Sequence, residues 1–320
     1  MKKLLIICGP TATGKSALAI RLAKRYRGEI VSADSRQVYQ KLNIGTGKDL
    51  PKGAKYKFKN KIVGGCYRVY GINLWGYDLV EPKQEFNVAR FVRFAKAVIA
   101  EIWQRNSLPI LTGGTGFYIK AITDGIDTAG ISINKKLRYS LIGKSKEELF
   151  EMLANLDAIK AASLNLSDKK NPRRLIRAIE VANWLAVRHT RAKKQDKFKA
   201  ELLFIGLTAP KKVLDKKIDE RVDERITMGI EKEIKRLIGQ KQTWQHQAMS
   251  SLGYLVWKDY FMGKKSRVET INKWKVEEHQ YAKRQLTWFK KDRRINWFDV
   301  SQDSWQKKVE NLVNKWYITH

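Results

Sequence analysis

The run Gly9-Pro-Thr-Ala-Thr-Gly-Lys-Ser16 fits the spacing G-x-x-x-x-G-K-[ST]. Gly9 and Gly14 let backbone N–H groups curl around phosphate oxygens, with Pro10, Thr11, Ala12 and Thr13 as the arch between them. Lys15 adds a point charge and Ser16 a hydroxyl able to ligate Mg²⁺. The chemistry is diphosphate binding; the pattern does not by itself specify a nucleotide. Asp34 closes the next apolar run, in Ser32-Ala-Asp-Ser-Arg-Gln37. A carboxylate at a strand's C-terminal end faces the phosphate loop, because ligands of parallel sheets bind there. It is placed to hold a metal through water, to act as a general base, or to cap the following turn. Leu111-Thr-Gly-Gly-Thr-Gly-Phe-Tyr118 is a second glycine-rich strand end, with the Thr115 hydroxyl beside the phosphate site; a tight strand–helix turn would explain its glycines equally well.

Arg173, Arg174 and Arg177 open a helical segment. Cations in the first turns oppose the helix dipole and require anionic company, either RNA phosphates or Glu180 and neighbouring acids. Arg221 lies among charges of both signs, ordinarily the pattern of a solvated face. Tyr281 to Phe289 interleaves cations with aromatic residues, as an RNA-facing or an amphipathic packing helix does. His189, His246, His279 and His320 share no metal-ligand spacing, and Cys8 and Cys66 alone make neither a disulfide framework nor a four-ligand zinc site.

These residues need a sheet to hold them. Apolar runs at Leu4–Cys8, Ile30–Val31, Leu108–Thr112 and Leu202–Leu207 read as buried strands, and helical spacing follows at Lys15–Arg27 and Phe86–Arg105. The alternation predicts an α/β fold: a P-loop NTPase-like parallel sheet with flanking helices. Between 124 and 199 no strand-like run occurs and helical segments follow one another, the clearest from Pro172 to Val187, ending in a basic stretch from Arg191 to Lys199. An all-helical insertion at 124–199 therefore interrupts an α/β core of 1–123 and 200–320. Further helices are expected over Lys211–Gln240, Ser250–Met262 and Val268–Lys290, a last strand at Ile295–Phe298, and an exposed loop or hairpin from Lys48 to Arg68.

The chain has 320 residues, 43% of them hydrophobic, enough for a packed core. No apolar run approaches the ~18–20 residues of a membrane span, and the short run behind Met1-Lys2-Lys3 is no signal peptide, so a cytoplasmic setting is expected. Lys and Arg number 64 against 32 Asp and Glu, a net charge of +32. Such an excess draws polyanions, and nucleic acid is the expected partner; a generally basic surface is the alternative.

Taken together, Gly9–Ser16, Asp34–Gln37, Ile44-Gly-Thr-Gly-Lys48, Gly113–Tyr118, Arg173–Arg177 and Ala282-Lys-Arg-Gln-Leu-Thr-Trp288 stand in the order seen in tRNA dimethylallyltransferases. The chain resembles these MiaA-type tRNA prenyltransferases from about Lys3 to about Phe298. The resemblance implies transfer of a dimethylallyl group from dimethylallyl diphosphate to the exocyclic amine (N6) of adenosine 37, 3′-adjacent to the anticodon. The tRNAs concerned read codons that start with U, and the partner is their anticodon stem-loop. By position, Asp34 resembles the general base, and Ser35, Arg36 and Gln37 contacts to the target nucleotide. Thr115 and Arg221 resemble the residues that hold the leaving diphosphate and reacting centre. Arg138, Arg173, Arg174, Leu175, Ile176 and Arg177 match tRNA-contacting positions, as do Gly253 and Tyr254 within Ser250–Leu255. Lys217, Asn171 and Asn73-Leu-Trp75 depart from the family, which often has arginine, aspartate and a histidine pair there, and the Lys48–Arg68 loop looks longer. A monomer suffices for one RNA per chain.

The residues make sense of this reaction on their own terms. A phosphate loop with Mg²⁺ stabilises charge as a C–O bond to diphosphate breaks. A carboxylate takes the amine proton as the C–N bond forms, and an unstacked loop base is what RNA enzymes read. A small-molecule kinase, a prenyltransferase of free adenine nucleotides and a non-catalytic RNA-binding P-loop protein each leave part of this pattern unexplained.

Overall fold

Leu4, Leu5, Ile6 and Ile7 are fully buried because β1 (Lys3–Cys8) lies inside an eight-stranded sheet covered on both faces. The computed structural model describes residues 1–48, 50–60, 63–128, 131–188 and 199–319. The chain divides into two compact units, Met1–Asp124 with Phe198–His320, and Gly125–Lys197.

In the first unit β1 leads into α1 (Lys15–Arg25), then β2 (Gly28–Ser32), β3 (Lys55–Asn60), β4 (Gly64–Val69), β5 (Ile72–Trp75), α2 (Val88–Gln104), β6 (Leu108–Thr112) and α3 (Gly116–Thr123). The second unit supplies α4 (Lys135–Ser140), α5 (Lys146–Leu156), α6 (Ala158–Ala162), α7 (Leu166–Lys169) and α8 (Pro172–Arg188). The first unit resumes with β7 (Glu201–Thr208), α9 (Lys211–Thr227), α10 (Ile230–Gly239), α11 (Leu252–Leu255), α12 (Lys258–Phe261), α13 (Arg267–Phe289), β8 (Ile295–Asp299) and α14 (Trp305–Ile318). The strand order is β3-β4-β5-β2-β6-β1-β7-β8. The expected α/β sheet is present, with β1 parallel to β6 and β7, and β2 parallel to β5 and β6. On one face Leu18, Leu22, Val309 and Val313 bring α1 and α14 into one apolar cluster with Leu5, Ile7 and Ile205. Phe91, Ala95, Val98 and Ile102 are the buried stripe of α2. Among the described residues no helix is long and apolar enough to cross a membrane.

Three expectations change. The hairpin expected within Lys48–Arg68 is present as β3–β4, but it is built antiparallel onto β5, so the sheet is mixed rather than wholly parallel. β5 is only four residues long and carries Asn73 and Trp75, which with Arg105 donate to the buried carboxylate of Glu29. That polar cluster adds to the burial of Ile72 and Leu74 in the apolar core in holding the strand. The helix expected over Lys211–Gln240 is broken at Gly229, whose φ of 90° lies in the left-handed region, and Ser250–Met262 is two short helices rather than one. The C-terminal helix α14 went unread. The basic stretch Arg191–Lys199 lies outside the described residues except Lys199.

The second unit has its own core of Leu141, Leu149, Leu153, Leu175, Ala178 and Ile179. Leu175 is fully buried there and cannot present its side chain to tRNA; Ile176 packs against the same cluster. Glu180 accepts from Arg138 Nε and Nη2, each at 2.8 Å, from Arg177 Nη1 at 3.1 Å and from Asn134 N at 2.9 Å. Arg177 also donates to the carbonyls of Thr128 and Ile131. The anionic company required at the start of α8 is thus, for Arg177, a carboxylate of the unit itself, which Arg138 of α4 shares. Arg174 pairs with Asp168, and Arg173 is exposed.

Burial pushes the Glu180 carboxyl up, but hydrogen bonds from Arg138 and Arg177 outweigh it and hold the group below its ordinary 4.5. Its stabilisation is therefore present above that value and lost as pH falls through the lower folded value. Glu180→Ala is expected to lower stability by about 2–4 kcal/mol, less than a fully buried broken pair because both arginines reach water. In denaturant titrations the gap to wild type should narrow as pH falls below the carboxyl's ordinary value; a gap independent of pH contradicts the ion-pair account.

Candidate functional site

The C-terminal ends of β1, β2 and β6 lie side by side in the sheet, and each runs into one of the turns singled out above. Between β1 and α1 the phosphate loop arches through left-handed backbone at Ala12 and Gly14, with φ of 61° and 81°. Thr13 Oγ1 donates to Pro10 O at 2.9 Å and Lys15 Nζ to the same carbonyl at 2.5 Å, so the arch is braced from within. Ser16 opens α1 with an exposed side chain. Burial, and next the nearby Arg221 guanidinium, pull the Lys15 ammonium down to about 8.

Asp34 follows β2. Its Oδ1 accepts from the backbone N–H groups of Arg36 at 2.7 Å and Gln37 at 3.3 Å. The turn-capping role left open above is therefore real, and it occupies one carboxylate oxygen. Oδ2 keeps no hydrogen-bond partner among the described residues and remains for other chemistry. Thr115, at the head of α3, accepts from Ser35 N at 3.1 Å and donates to Ser35 Oγ at 3.5 Å, joining the β6 turn to the β2 turn. Arg36 reaches away to Gln247 O at 2.8 Å, and Gln37 donates to Gly47 O at 2.8 Å.

Arg221, on α9, crosses from the opposite side, donating to Thr11 Oγ1 at 2.6 Å and to Gly47 O at 3.2 Å. A Cβ on Gly47 would stand 2.7 Å from Arg221 and 2.1 Å from Arg225, so glycine is what lets both guanidinium groups close on this loop. Thr11, Lys15, Ser16, Asp34, Thr115 and Arg221 line one cleft of about 520 Å³.

Sequence reasoning missed the groups that hold these in place. Gln285 of α13 accepts from Thr11 N at 2.9 Å and donates to Gly114 O at 2.9 Å, tying the two glycine-rich turns together. The signal was there: Gln285 falls on the same helical stripe as the buried Trp274, Glu278, Ala282 and Phe289. Tyr281, one turn earlier, lines the cleft, and burial and then the Asp34 carboxylate push its phenol up. Lys48 is almost wholly buried, donating to Tyr39 O at 2.8 Å and pairing with Asp78, whose other oxygen accepts from Tyr67. Glu233 of α10 accepts from the backbone N–H groups of Asn43, Ile44 and Gly45.

Tyr254 is placed differently from the expectation, whereas Gly253 lines the cleft. Tyr254 is fully buried, donating to Glu233 Oε1 at 2.6 Å and accepting from Gly45 N at 3.2 Å. A Cβ on Gly253 would come within 2.2 Å of Gly45 O. Both residues pack the 250–255 segment onto the Gly45 loop, so they position this wall of the cleft and offer no side chain to RNA.

Oxygen donors suit Mg²⁺, which uses one or two protein ligands and fills its octahedron with water and substrate phosphate. Ser16 Oγ and Asp34 line the cleft, as does Thr112 Oγ1, which is buried with no partner among the described residues. The donor set fits that ion.

The profile of the family described as IPP transferase matches residues 37–292, and that described as isopentenyl transferase matches 2–61. The chain is 38% identical over 326 residues to a tRNA dimethylallyltransferase of Carboxydothermus hydrogenoformans, covering 98% of this chain and 97% of that one. A tRNA dimethylallyltransferase of Pediococcus pentosaceus is 35% identical, with 99% and 97% covered. Among solved structures, a tRNA isopentenylpyrophosphate transferase of Bacillus halodurans superposes with a TM-score of 0.71 at 31% identity, covering 98% and 96%. A eukaryotic dimethylallyltransferase superposes with a TM-score of 0.81 at 23% identity, a likeness of fold.

Lys15 generates a pH prediction. A bound diphosphate favours the charged ammonium and raises its pKa, so above about pH 8 binding must take up a proton that is already in place below it. Pyrophosphate affinity, measured by calorimetry, is expected to fall more steeply from pH 7.5 to 9.5 for wild type than for Lys15→Met, with roughly one extra proton taken up. Parallel profiles would contradict the placement of Lys15 on the anion.

Proposed function

The chain belongs to the IPP transferase family, and from that membership and the cleft described above we propose how and where it carries out the dimethylallyl transfer to tRNA that is its activity. The donor in this reading is dimethylallyl diphosphate. The acceptor is the exocyclic N6 of adenosine 37, 3′-adjacent to the anticodon, in tRNAs that read codons starting with U.

One observation carries the reading: a phosphate loop with Lys15 and Arg221, and a carboxylate with a free oxygen, open into the same cleft. The loop's backbone N–H groups and Lys15 grip the diphosphate. Arg221, steadied by Thr11 and Gly47, and the Thr115 hydroxyl are placed to stabilise charge on the leaving oxygen. The bond from dimethylallyl C1 to the diphosphate oxygen breaks and its electron pair leaves with the diphosphate. The N6 lone pair forms the new C–N bond, and Asp34 Oδ2 takes the proton that N6 sheds. Because Oδ1 is held by two backbone N–H groups, Asp34 cannot swing away as it does so. Ser16 Oγ, with Asp34 and Thr112 nearby, would hold Mg²⁺, which would neutralise charge on the diphosphate. Ser35, Arg36 and Gln37 form the rim that the nucleotide passes. Of Arg138, Arg173, Arg174 and Arg177, exposed Arg173 makes no ion pair among the described residues and is open to phosphate contact, and the net charge of +32 draws the RNA in. A monomer acting in the cytoplasm fits this reading.

The test is incubation with dimethylallyl diphosphate and bulk tRNA, followed by mass spectrometry of the digested nucleosides. Dimethylallyl-adenosine is expected with wild type, together with pyrophosphate in equal amount. Asp34→Asn should turn over at less than about a tenth of the wild-type rate with tRNA affinity retained, since a general base contributes roughly 10²–10⁴-fold. Turnover above that level removes Asp34 from the base role, and ADP release from ATP without modified nucleoside would point to a kinase.

A further inference from the structure

We propose that the β3–β4 hairpin is a second RNA-binding edge, gripping the backbone and stacking a base of the same tRNA whose adenosine enters the cleft; the proposal rests on the tRNA reading above. β3 is the outermost strand of the sheet. Its sequence, Lys-Tyr-Lys-Phe-Lys-Asn60, alternates cations with aromatic rings, and all but Asn60 is exposed. Between Asp49 and Asp78 the chain has no acidic residue. Lys59 pairs with Glu101, whereas Lys55, Lys57 and Arg68 make no ion pair among the described residues.

Lysines on an edge strand have an ordinary explanation, since they discourage edge-to-edge pairing. That explains the charges and not the rings. Phe58 is 61% exposed and Tyr56 46%, and an apolar ring on an open edge is the liability that guarding lysines are meant to offset. A second copy of the chain is a poor occupant because its own lysines would face these. An RNA strand satisfies both features, with phosphates for the cations and bases for the rings.

The placement agrees. Phe58 pairs with Gly65, beyond the Cys66–Trp75 pair, so the Phe58 end of the hairpin lies toward the C-terminal end of β5, the end where the cleft opens. Tyr56 meets Tyr67 edge-on at 5.3 Å, and Tyr67 meets Tyr77 at 6.3 Å. Tyr77 lines the cleft, so an aromatic row runs from the cleft to the edge. Three strand spacings, about 14 Å, separate β3 from the strand that carries Asp34.

The experiment measures binding of unmodified tRNA across a salt series. Lys55→Gln combined with Lys57→Gln is expected to flatten the slope of log affinity against log salt by about 1.4–1.8, two phosphate contacts' worth. Phe58→Ala should weaken binding roughly fivefold or more, the low end for one base–aromatic stack. In wild type, tRNA should protect Lys55 and Lys57 from acetylation, a readout that needs no variant to fold. Unchanged slopes and affinities, or unprotected lysines, overturn the proposal. Loss of binding to phosphatidylserine vesicles with tRNA affinity intact overturns it in favour of a membrane surface. Wild type that binds tRNA through this edge yet transfers no prenyl group would sink the functional reading and leave the edge standing.

Discussion

The carboxamide of Gln285 is where the geometry of the cleft is decided, because it is the contact that joins the phosphate loop to the second glycine-rich turn. Its oxygen faces the N–H of Thr11 and its nitrogen faces the carbonyl of Gly114. A flipped amide would set oxygen against oxygen, so the orientation is fixed by its partners. Both groups are backbone atoms in sharp, part-buried turns with no strand partner, where leaving each unpaired costs up to about 1–3 kcal/mol, less to the extent that water reaches it. Glutamine is suited to this because one side chain both donates and accepts; a carboxylate would satisfy only Thr11. The distance between anion grip and Thr115 therefore depends on a helix 171 residues further along the chain than Gly114.

The opposite wall is built by a related device. The loop from Asn43 to Lys48 is a run of turns, so its first three N–H groups are taken up by Glu233, those of Gly47 and Lys48 by carbonyls of the loop itself, and its end is anchored by buried Lys48. Burial pulls that ammonium down while Asp78 counters it, and the net result is a cation held inside the fold rather than offered to substrate. What the loop offers instead is the carbonyl of Gly47, on which Gln37 and Arg221 converge. The residues that act on substrate are few; most of the polar groups nearby exist to keep three irregular turns in register, as preorganised electrostatics requires.

What the sequence disclosed and what it hid follow from the range of the interactions. The phosphate loop, Asp34 and the Gly113–Gly116 turn could be read because each is a local pattern at the end of an apolar run. β1, β6 and β7 were visible for the same reason. β3 and β5 were harder to read: β3 is exposed on both faces, so its alternation of lysines and rings allowed a loop as well as a hairpin, and β5 is four residues, too short for its alternation to stand out. Leu175 and Tyr254 were assigned by position in a motif, and motif position does not tell whether a side chain faces the ligand or the core beneath it. The arginines of α8 show the same limit: the dipole argument required an anion for them, and Glu180, three residues on, supplied it for Arg177 and Asp168 for Arg174. Gln285 stood inside a recognised motif, yet its partners are far away in sequence and only the fold names them, as it does the Asp78 partner of Lys48.

The central claim is that the two glycine-rich turns form one reacting centre because Gln285 holds them together. Single-turnover transfer by Gln285→Ala, at saturating dimethylallyl diphosphate and tRNA, tests it most directly. A displacement of about 1 Å between the diphosphate and the acceptor is expected to slow the step by roughly 10²-fold even when both substrates are fully bound. A rate equal to wild type under saturation, with any loss confined to substrate affinity, would contradict the claim.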